Sequence, residues 1–402
     1  MWAGKPVDQP TIRVGLLWHS MNSDNLGVGA MTLGHIAIVQ EVAARLGLAV
    51  RFLVLGWADV RPHYQTRESI EVRGLRLADF ARLRGGFVSA LRRCDVVLDI
   101  GAGDSFSDLY GAGRAAKILQ AQLQVLLSRR PLVLSPQTIG PFARHWARGL
   151  ALGVMRRAAA VATRDGLSAC YAREMGLTRP IVEASDVALR LAYAAPEPRR
   201  GGRVRVGINV SGLLFNGGYT RDNMFALRVD YAALMRSIID YFQRQANVEV
   251  HLIGHVQSET RAVEDDQRAC QALAAEFPAV VVAPRFAHPS HAKSHIAAMD
   301  YFVGARMHAC LAAFSTGVPL LPMAYSRKVE GFFGSLGYGA LADCRRESEA
   351  EILTKVQSTF ADRDRLKAEM DAAHERALAR LGAYESALTT CLGMASHRRE
   401  AG

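Results

Sequence analysis

The chain has 402 residues, half of them hydrophobic and 22% charged, a balance that excludes intrinsic disorder. Its 35 glycines and 14 prolines are scattered without a period, which excludes collagen-like and low-complexity architectures. The net charge of +11 suggests an anionic partner, but no basic run of five or more accompanies it, so nucleic acid is not expected.

A chain of this length predicts two or three domains. Arg13–His19 reads as a strand and Ser20–Gly27 as a polar loop; a helical pattern then runs to about Leu46 and stops at Gly47. Ala49–Leu55 and Asp95–Ile100 are apolar runs of strand length, with helical or mixed sequence over Ile70–Arg93 between them. Ala115–Ser128 is an amphipathic helix, followed by strand Pro131–Ser135, helix Arg144–Ala158, strand Ala160–Thr163, helix Gly166–Glu174 and strand Ile181–Glu183. This alternation predicts βαβ units and a parallel sheet.

Ala194–Gly202, rich in Pro, Gly and Arg, reads as a linker. A second series follows, with strands at Val204–Val210, Val248–Ile253, Val280–Val282, Tyr301–Val303 and Pro319–Met323. Its helices fall at Tyr231–Gln245, Glu264–Phe277, Ser290–Met299 and His308–Ser315, and Ser348–Leu381 is helical and charged. The expected architecture is α/β, with two doubly wound Rossmann-like domains facing a cleft. They span 1–193 and 203–381, the latter with a closing helix, and 382–402 is expected as a tail.

Six cysteines lie no closer than 34 residues apart, so no zinc or iron–sulfur spacing exists and no metal site is expected. They read as free thiols of a reducing compartment. The first residues lack a signal-peptide core, and no uninterrupted apolar stretch reaches 18 residues. A cytoplasmic protein is expected. The P-loop, HExxH and GxSxG patterns are absent, and Gly101-Ala102-Gly103 opens like a dinucleotide fingerprint but meets Phe106 at the third glycine position.

Five polar junctions stand at the C-terminal ends of predicted strands, the edge where open α/β sheets bind ligands. His19–Gly29 contains Asn25 and Gly27; Asp99–Asp108 contains Gly103, Asp104 and Ser105; Ser135–Pro141 contains Gln137. Thr163–Ser168 carries Arg164, with an N-cap Asp165 and a surface arginine as its plainer reading. In Asp300–His308 a strand runs through Gly304 into Arg306 and His308 at a helix N-terminus, where free N–H groups and the helix dipole favour an anion. Lys328 follows the next strand on the same edge, and Asn209 and His255, at the ends of two strands of the second series, complete the candidate substrate-binding set.

Laid out in order, these segments resemble the polysaccharide pyruvyl transferase family from about Arg13 to Gly339. The matching pieces are Asn25-Leu26-Gly27, the Gly-rich Ile100–Asp108, Gln137-Thr138-Ile139-Gly140-Pro141, Arg164-Asp165 with Ser168, and Ser185-Asp186. Gly304-Ala305-Arg306-Met307-His308 and Tyr325-Ser326-Arg327-Lys328 match as well. The resemblance implies a GT-B-like fold with its active site in the cleft. It also implies phosphoenolpyruvate as donor substrate, no cofactor, and a sugar diol as acceptor, joined as a cyclic pyruvate ketal. It places Arg306 and His308 in the donor site. Many relatives read Asn-x-Gly-Asp in the first loop, whereas Val28 stands here in place of the acid, with Asp24 as a possible substitute.

His308 is the candidate acid–base residue, Arg306 an anion clamp, and Asp104 the candidate for orienting or deprotonating an acceptor hydroxyl. Arg164 or Lys328 would hold the remaining anionic group. Two other readings are a GT-B-like glycosyltransferase using a nucleotide sugar and a non-catalytic binding protein of the same fold. Arg144–Arg157 would suit peripheral contact with an anionic membrane and a lipid-linked acceptor, although a solvated helix face is the plainer reading.

Overall fold

The computed structural model describes residues 9–80, 86–101, 106–109, 111–198 and 201–400. The chain divides into two compact units. The first takes in 1–22, 31–190 and 378–402, and the second 23–30 and 191–377.

The first unit contains β1 (Thr11–Leu17), α1 (Leu26–Arg45, entering after its first residues), β2 (Ala49–Trp57), β3 (Ile70–Leu75), α2 (Leu77–Phe80), α3 (Gly86–Arg92) and β4 (Val96–Asp99). It continues with α4 (Ala112–Leu127), β5 (Leu132–Gln137), α5 (His145–Arg157), β6 (Ala160–Thr163), α6 (Gly166–Glu174) and β7 (Val182–Glu183). All its strand pairings are parallel, in the order β3-β2-β1-β4-β5-β6-β7. Every residue of β4 and β5 is buried, as a parallel sheet covered by helices on both faces requires.

The second unit contains β8 (Val204–Asn209), α7 (Gly212–Phe215), α8 (Tyr231–Gln243), β9 (Val248–Ile253), α9 (Asp266–Glu276), β10 (Val281–Val282) and α10 (Pro289–Ala297). Then come β11 (Tyr301–Gly304), α11 (Met307–Thr316), β12 (Leu320–Ala324), α12 (Arg327–Ser335), β13 (Ala342–Asp343) and α13 (Glu349–Ala361). Helix α14 (Arg363–Glu400) starts in the second unit and ends in the first. The second sheet runs β10-β9-β8-β11-β12-β13, also parallel throughout, which is the Rossmann strand order with its switch point between β8 and β11.

Two expectations give way. Ile70–Arg93 holds a strand, β3, whose half-exposed IEVRGL sequence lacks the apolar run of a buried strand because it pairs on one side only. The tail expected over 382–402 is instead the continuation of α14 as far as Glu400. Tyr384, Leu388 and Leu392 recur every four residues as one fully buried stripe, a short helical signal flanked in the sequence by the helix-weakening Gly382 and Gly393. Among the described residues only α1 is long and apolar enough to cross a membrane, and 78% of that stretch is buried within the protein, as in a core helix.

Candidate active site

At the switch point of the second sheet, Asn209 ends β8 opposite Gly304, the last residue of β11. The Asn209 side chain is fully buried; its Nδ2 donates to Ile253 O at 2.9 Å and its Oδ1 accepts from Arg306 N at 2.8 Å. One side chain thus joins the ends of three strands.

Arg306 is the extended N-cap of α11, a helix whose apolar residues are buried and which ends at Gly317 in the left-handed region. Its guanidinium is turned inward. Nη2 donates to Asp266 Oδ1 at 2.7 Å, Nε lies 3.2 and 3.3 Å from the two carboxylate oxygens, and Nη2 also reaches Glu264 O at 3.1 Å. The expected open fork therefore faces Asp266, and the Arg306 side chain is only 12% exposed. Burial disfavours its charge, but Asp266 more than compensates, and the pKa stands above the ordinary arginine value.

Asp266 is a junction that sequence reasoning missed. Fully buried at the start of α9, it also accepts from the backbone N–H groups of Gly212 (2.8 Å), His255 (3.0 Å) and Val256 (2.9 Å). The sequence signal was the pair Asp265-Asp266 opening a helix, which reads as ordinary capping. Asp265 does serve as that cap, leaving Asp266 to anchor the loops.

His308 is the second residue of α11 and lies against the first loop. Asn25 pairs with Val256 in an antiparallel bridge, and its Oδ1 accepts from Gly27 N at 3.0 Å. Leu26 N donates to His255 O at 3.2 Å, and Gln257 N to Asp24 O at 2.9 Å. These bonds set Gly27 beneath the His308 imidazole, where an added Cβ would come within 2.3 Å of Nδ1. Gly27 serves close approach; its value here is the missing side chain. His255 is buried beside them, and its pKa is pushed down to about 3 by burial and then by the charges of His308 and Arg306. It is a neutral imidazole near pH 7.

Strands β11 and β12 are neighbours, and each hands over to a helix whose N-cap side chain, Arg306 or Ser326, makes no capping bond. Two positive helix ends therefore share one sheet edge. Lys328, half-buried, is the second residue of α12. Tyr325 packs edge-on against Phe225, with ring centroids 5.1 Å apart. Beside this edge lies a cavity of about 440 Å³ whose lining includes Asn216, Arg221, Arg228 and Tyr231. The Tyr231 hydroxyl accepts from Ser211 N at 3.2 Å and donates to Asn209 O at 3.5 Å, joining the cavity wall to the switch point.

The first unit places Gln137 at the end of β5 and Arg164 just after β6. Arg164 is not at the surface. It is 2% exposed, with Nε donating to Thr138 Oγ1 at 2.9 Å and Nη1 to Asp186 Oδ2 at 3.1 Å. Ser168 Oγ accepts from Ile139 N at 3.1 Å, and Asp165 caps α6 by accepting from Ser168 N at 2.7 Å. Three separated motif segments thus hold one another together. Gln137 Nε2 donates to Asp99 O at 3.1 Å, while its buried Oε1 has no partner among the described residues. Burial pushes the Asp99 carboxyl up to about 6, against the hydrogen bonds it accepts from Gln122 and Gly101. Gly103, Asp104 and Ser105 lie outside the described residues. Arg306, His308, Asn25, Gly27, Asn209 and His255 come together in the second unit with Lys328 on the adjoining helix; Gln137 and Arg164 belong to the first.

Solved structures with the same two-domain α/β fold include three nucleotide-sugar or sugar-phosphate proteins. Anabaena HepE in complex with UDP-glucose is 14% identical, with a TM-score of 0.53 over 97% of this chain and 100% of that one. UDP-GlcNAc 2-epimerase from Neisseria meningitidis bound to UDP-GlcNAc is 10% identical, with a TM-score of 0.57 over 95% and 99%. The α,α-trehalose 6-phosphate synthase of Burkholderia multivorans is 13% identical, with a TM-score of 0.51 over 98% and 97%. At such identities the likeness carries the fold, which is of the GT-B type. No curated protein matches the chain significantly. The profile of the family described as polysaccharide pyruvyl transferase matches residues 43–327, more than half of the chain, from the end of α1 to the start of α12. The chain belongs to the polysaccharide pyruvyl transferase family.

Proposed function

We propose that the protein transfers the enolpyruvyl group of phosphoenolpyruvate to a sugar diol and closes it as a cyclic pyruvate ketal, in cell-surface polysaccharide or glycan biosynthesis. The observation that carries this reading is the shared edge of β11 and β12, where two positive helix ends meet His308 and Lys328. Phosphoenolpyruvate bears about three negative charges near neutral pH and needs two anion sites, one for its phosphate and one for its carboxylate. Two adjacent helix starts answer that requirement.

In this reading His308 gives a proton to the methylene carbon, and positive charge develops at the neighbouring carbon. A sugar hydroxyl oxygen bonds there and loses its proton. The bond from that carbon to the phosphate oxygen then breaks, the second hydroxyl closes the ring, and inorganic phosphate leaves with the second hydroxyl proton. His255, held neutral, does not compete as the acid. Arg306, already gripped by Asp266, acts as a positioning residue that fixes the start of α11 and adds positive potential. Arg164, locked to Asp186, serves the scaffold; Lys328 is the better partner for the donor.

The test is phosphate release from phosphoenolpyruvate against a panel of lipid-linked and nucleotide-linked sugars. His308→Ala should lower kcat by about 10²–10⁴-fold, the usual worth of general acid–base help, with little change in donor binding. Turnover near the wild-type value in that variant sinks the assignment. Thermal stabilisation by UDP-glucose and none by phosphoenolpyruvate would favour the nucleotide-sugar reading instead.

A further inference from the structure

The first unit has a second cavity, of about 600 Å³, where β5 and β6 begin, at Pro131, Ala159 and Ala160. That is the sheet edge opposite Gln137 and Arg164, away from the edge where α/β sheets place their substrates. Its volume lies in the range of small-molecule sites, about 300–1,000 Å³. Leu126 from α4 and Ala387 and Met394 from α14 give it apolar walls. Arg129, Arg130, Arg157 and Arg398 complete the lining, and no carboxylate belongs to it.

These four arginines make no ion pair among the described residues. Arg130 donates to Arg92 O at 2.7 Å and Arg157 to Gly153 O at 3.2 Å, carbonyl contacts that leave their charge unneutralised. Apolar surface continues outward from the cavity. Met394 is 55% exposed and Leu127 75%. On α5, Trp146, Leu150 and Arg157 recur at helical spacing, with both apolar residues 43% exposed.

We propose that this cavity and the outer face of α5 seat an anionic glycerophospholipid of a membrane surface. A half-open cavity with apolar walls and arginines in its lining matches the two ends of one amphiphile: the acyl chain lies along Leu126, Ala387 and Met394, and the phosphate sits on the arginines. An acidic polypeptide would engage the charge but leave the apolar walls unfilled. The chain's excess of 49 basic over 38 acidic residues adds long-range attraction to the same surface. The proposal stands apart from the donor-site reading, because its test reads binding and not turnover.

The experiment is co-sedimentation of the full-length protein with vesicles of phosphatidylcholine alone and of phosphatidylcholine mixed equally with phosphatidylglycerol. Binding should require phosphatidylglycerol and weaken with salt. Each basic residue at such a surface is worth about fivefold in affinity, so Arg157→Glu with Arg398→Glu should lower it by at least about 25-fold. Met394→Gln should weaken binding several-fold and leave its salt dependence unchanged. Both variants should keep the wild-type circular dichroism and melting temperature, since these side chains are exposed. Equal sedimentation with phosphatidylcholine alone, no sedimentation with either vesicle, or unaltered binding of the arginine variant overturns the proposal. Loss in the arginine variant with full binding of Met394→Gln overturns the seating of the acyl chain.

Discussion

A methyl group on Gly27 would sit 2.3 Å from Nδ1 of His308 and 2.6 Å from its Cγ, so the imidazole fills the space that any larger residue at position 27 would take. The two residues are far apart in sequence, and Asn25 holds the glycine in place through its Oδ1. Gly27→Ala should therefore push the ring out of register without touching substrate. Displacement of a catalytic group by about 1 Å typically costs about 10²-fold in rate. Kinetics of phosphate release should show that loss in kcat, with a melting temperature close to wild type. Unchanged kcat would mean that the position of His308 does not set the rate.

Asp266 supports Arg306 and three backbone N–H groups at once. Removing one partner of a buried ion pair leaves the other charge uncompensated, at a cost of about 3–5 kcal/mol. Asp266→Ala should destabilise by about that amount in urea unfolding, and Asp266→Asn by less, since its amide oxygen still accepts. Arg306→Lys should also lower stability, because an ammonium cannot span both carboxylate oxygens as the fork does. A fall below about 1 kcal/mol for Asp266→Ala would show that the loops do not depend on this junction.

Much of the fold was legible because parallel strands buried on both faces are short apolar runs; β6 and β9 fall on the ranges read from Ala160–Thr163 and Val248–Ile253. The failures share a cause. Strand β3 is an edge and needs no apolar run, and the end of α14 hides its stripe between two glycines. At the site, strand ends pointed to Asn209, Arg306 and His308, since the switch point is a property of topology. What the sequence left open was pairing. Nothing in TRDGLS says that Arg164 is buried against Asp186, and nothing before α9 says that Asp266, not a ligand, fills the fork of Arg306.

Stability should fall in mild acid. His19 and His255 are pushed down to about 3 by burial, and His35 is lowered for the same reason and by the charge of His19. Unfolded imidazoles take protons near 6.5 while these stay neutral, so below that value the unfolded state binds more protons. Their contribution is complete above about 6.5 and is lost as pH falls toward 3, at up to about 1.4 kcal/mol per pH unit for each ring. Asp99, raised to about 6, opposes them, since its burial is less costly once it is protonated. Three imidazoles outweigh one carboxyl. Urea midpoints measured from pH 7 to pH 4 should decline steadily, and a flat profile would contradict the neutrality of these rings.

The end of α14 is tied to the first sheet by a chain of buried polar groups. His19 Nδ1 lies 3.0 Å from Leu17 O, His19 Nε2 lies 2.9 Å from His35 Nδ1, His35 Nε2 lies 2.8 Å from the Tyr384 hydroxyl, and Ser135 Oγ lies 3.0 Å beyond it. A carbonyl only accepts, so with both rings neutral His19 carries its proton on Nδ1 and His35 donates from Nδ1 in turn. The Tyr384 hydroxyl then serves His35 Nε2. Tyr384→Phe keeps the ring in its packed site but leaves that nitrogen buried without a partner, at a cost of about 1–3 kcal/mol. The urea midpoint should drop with an unchanged slope, and amide exchange should quicken in α14 beyond Leu378 more than in β8 or β11. Wild-type exchange throughout α14 would show that apolar packing of Leu388 and Leu392 alone holds the helix in place.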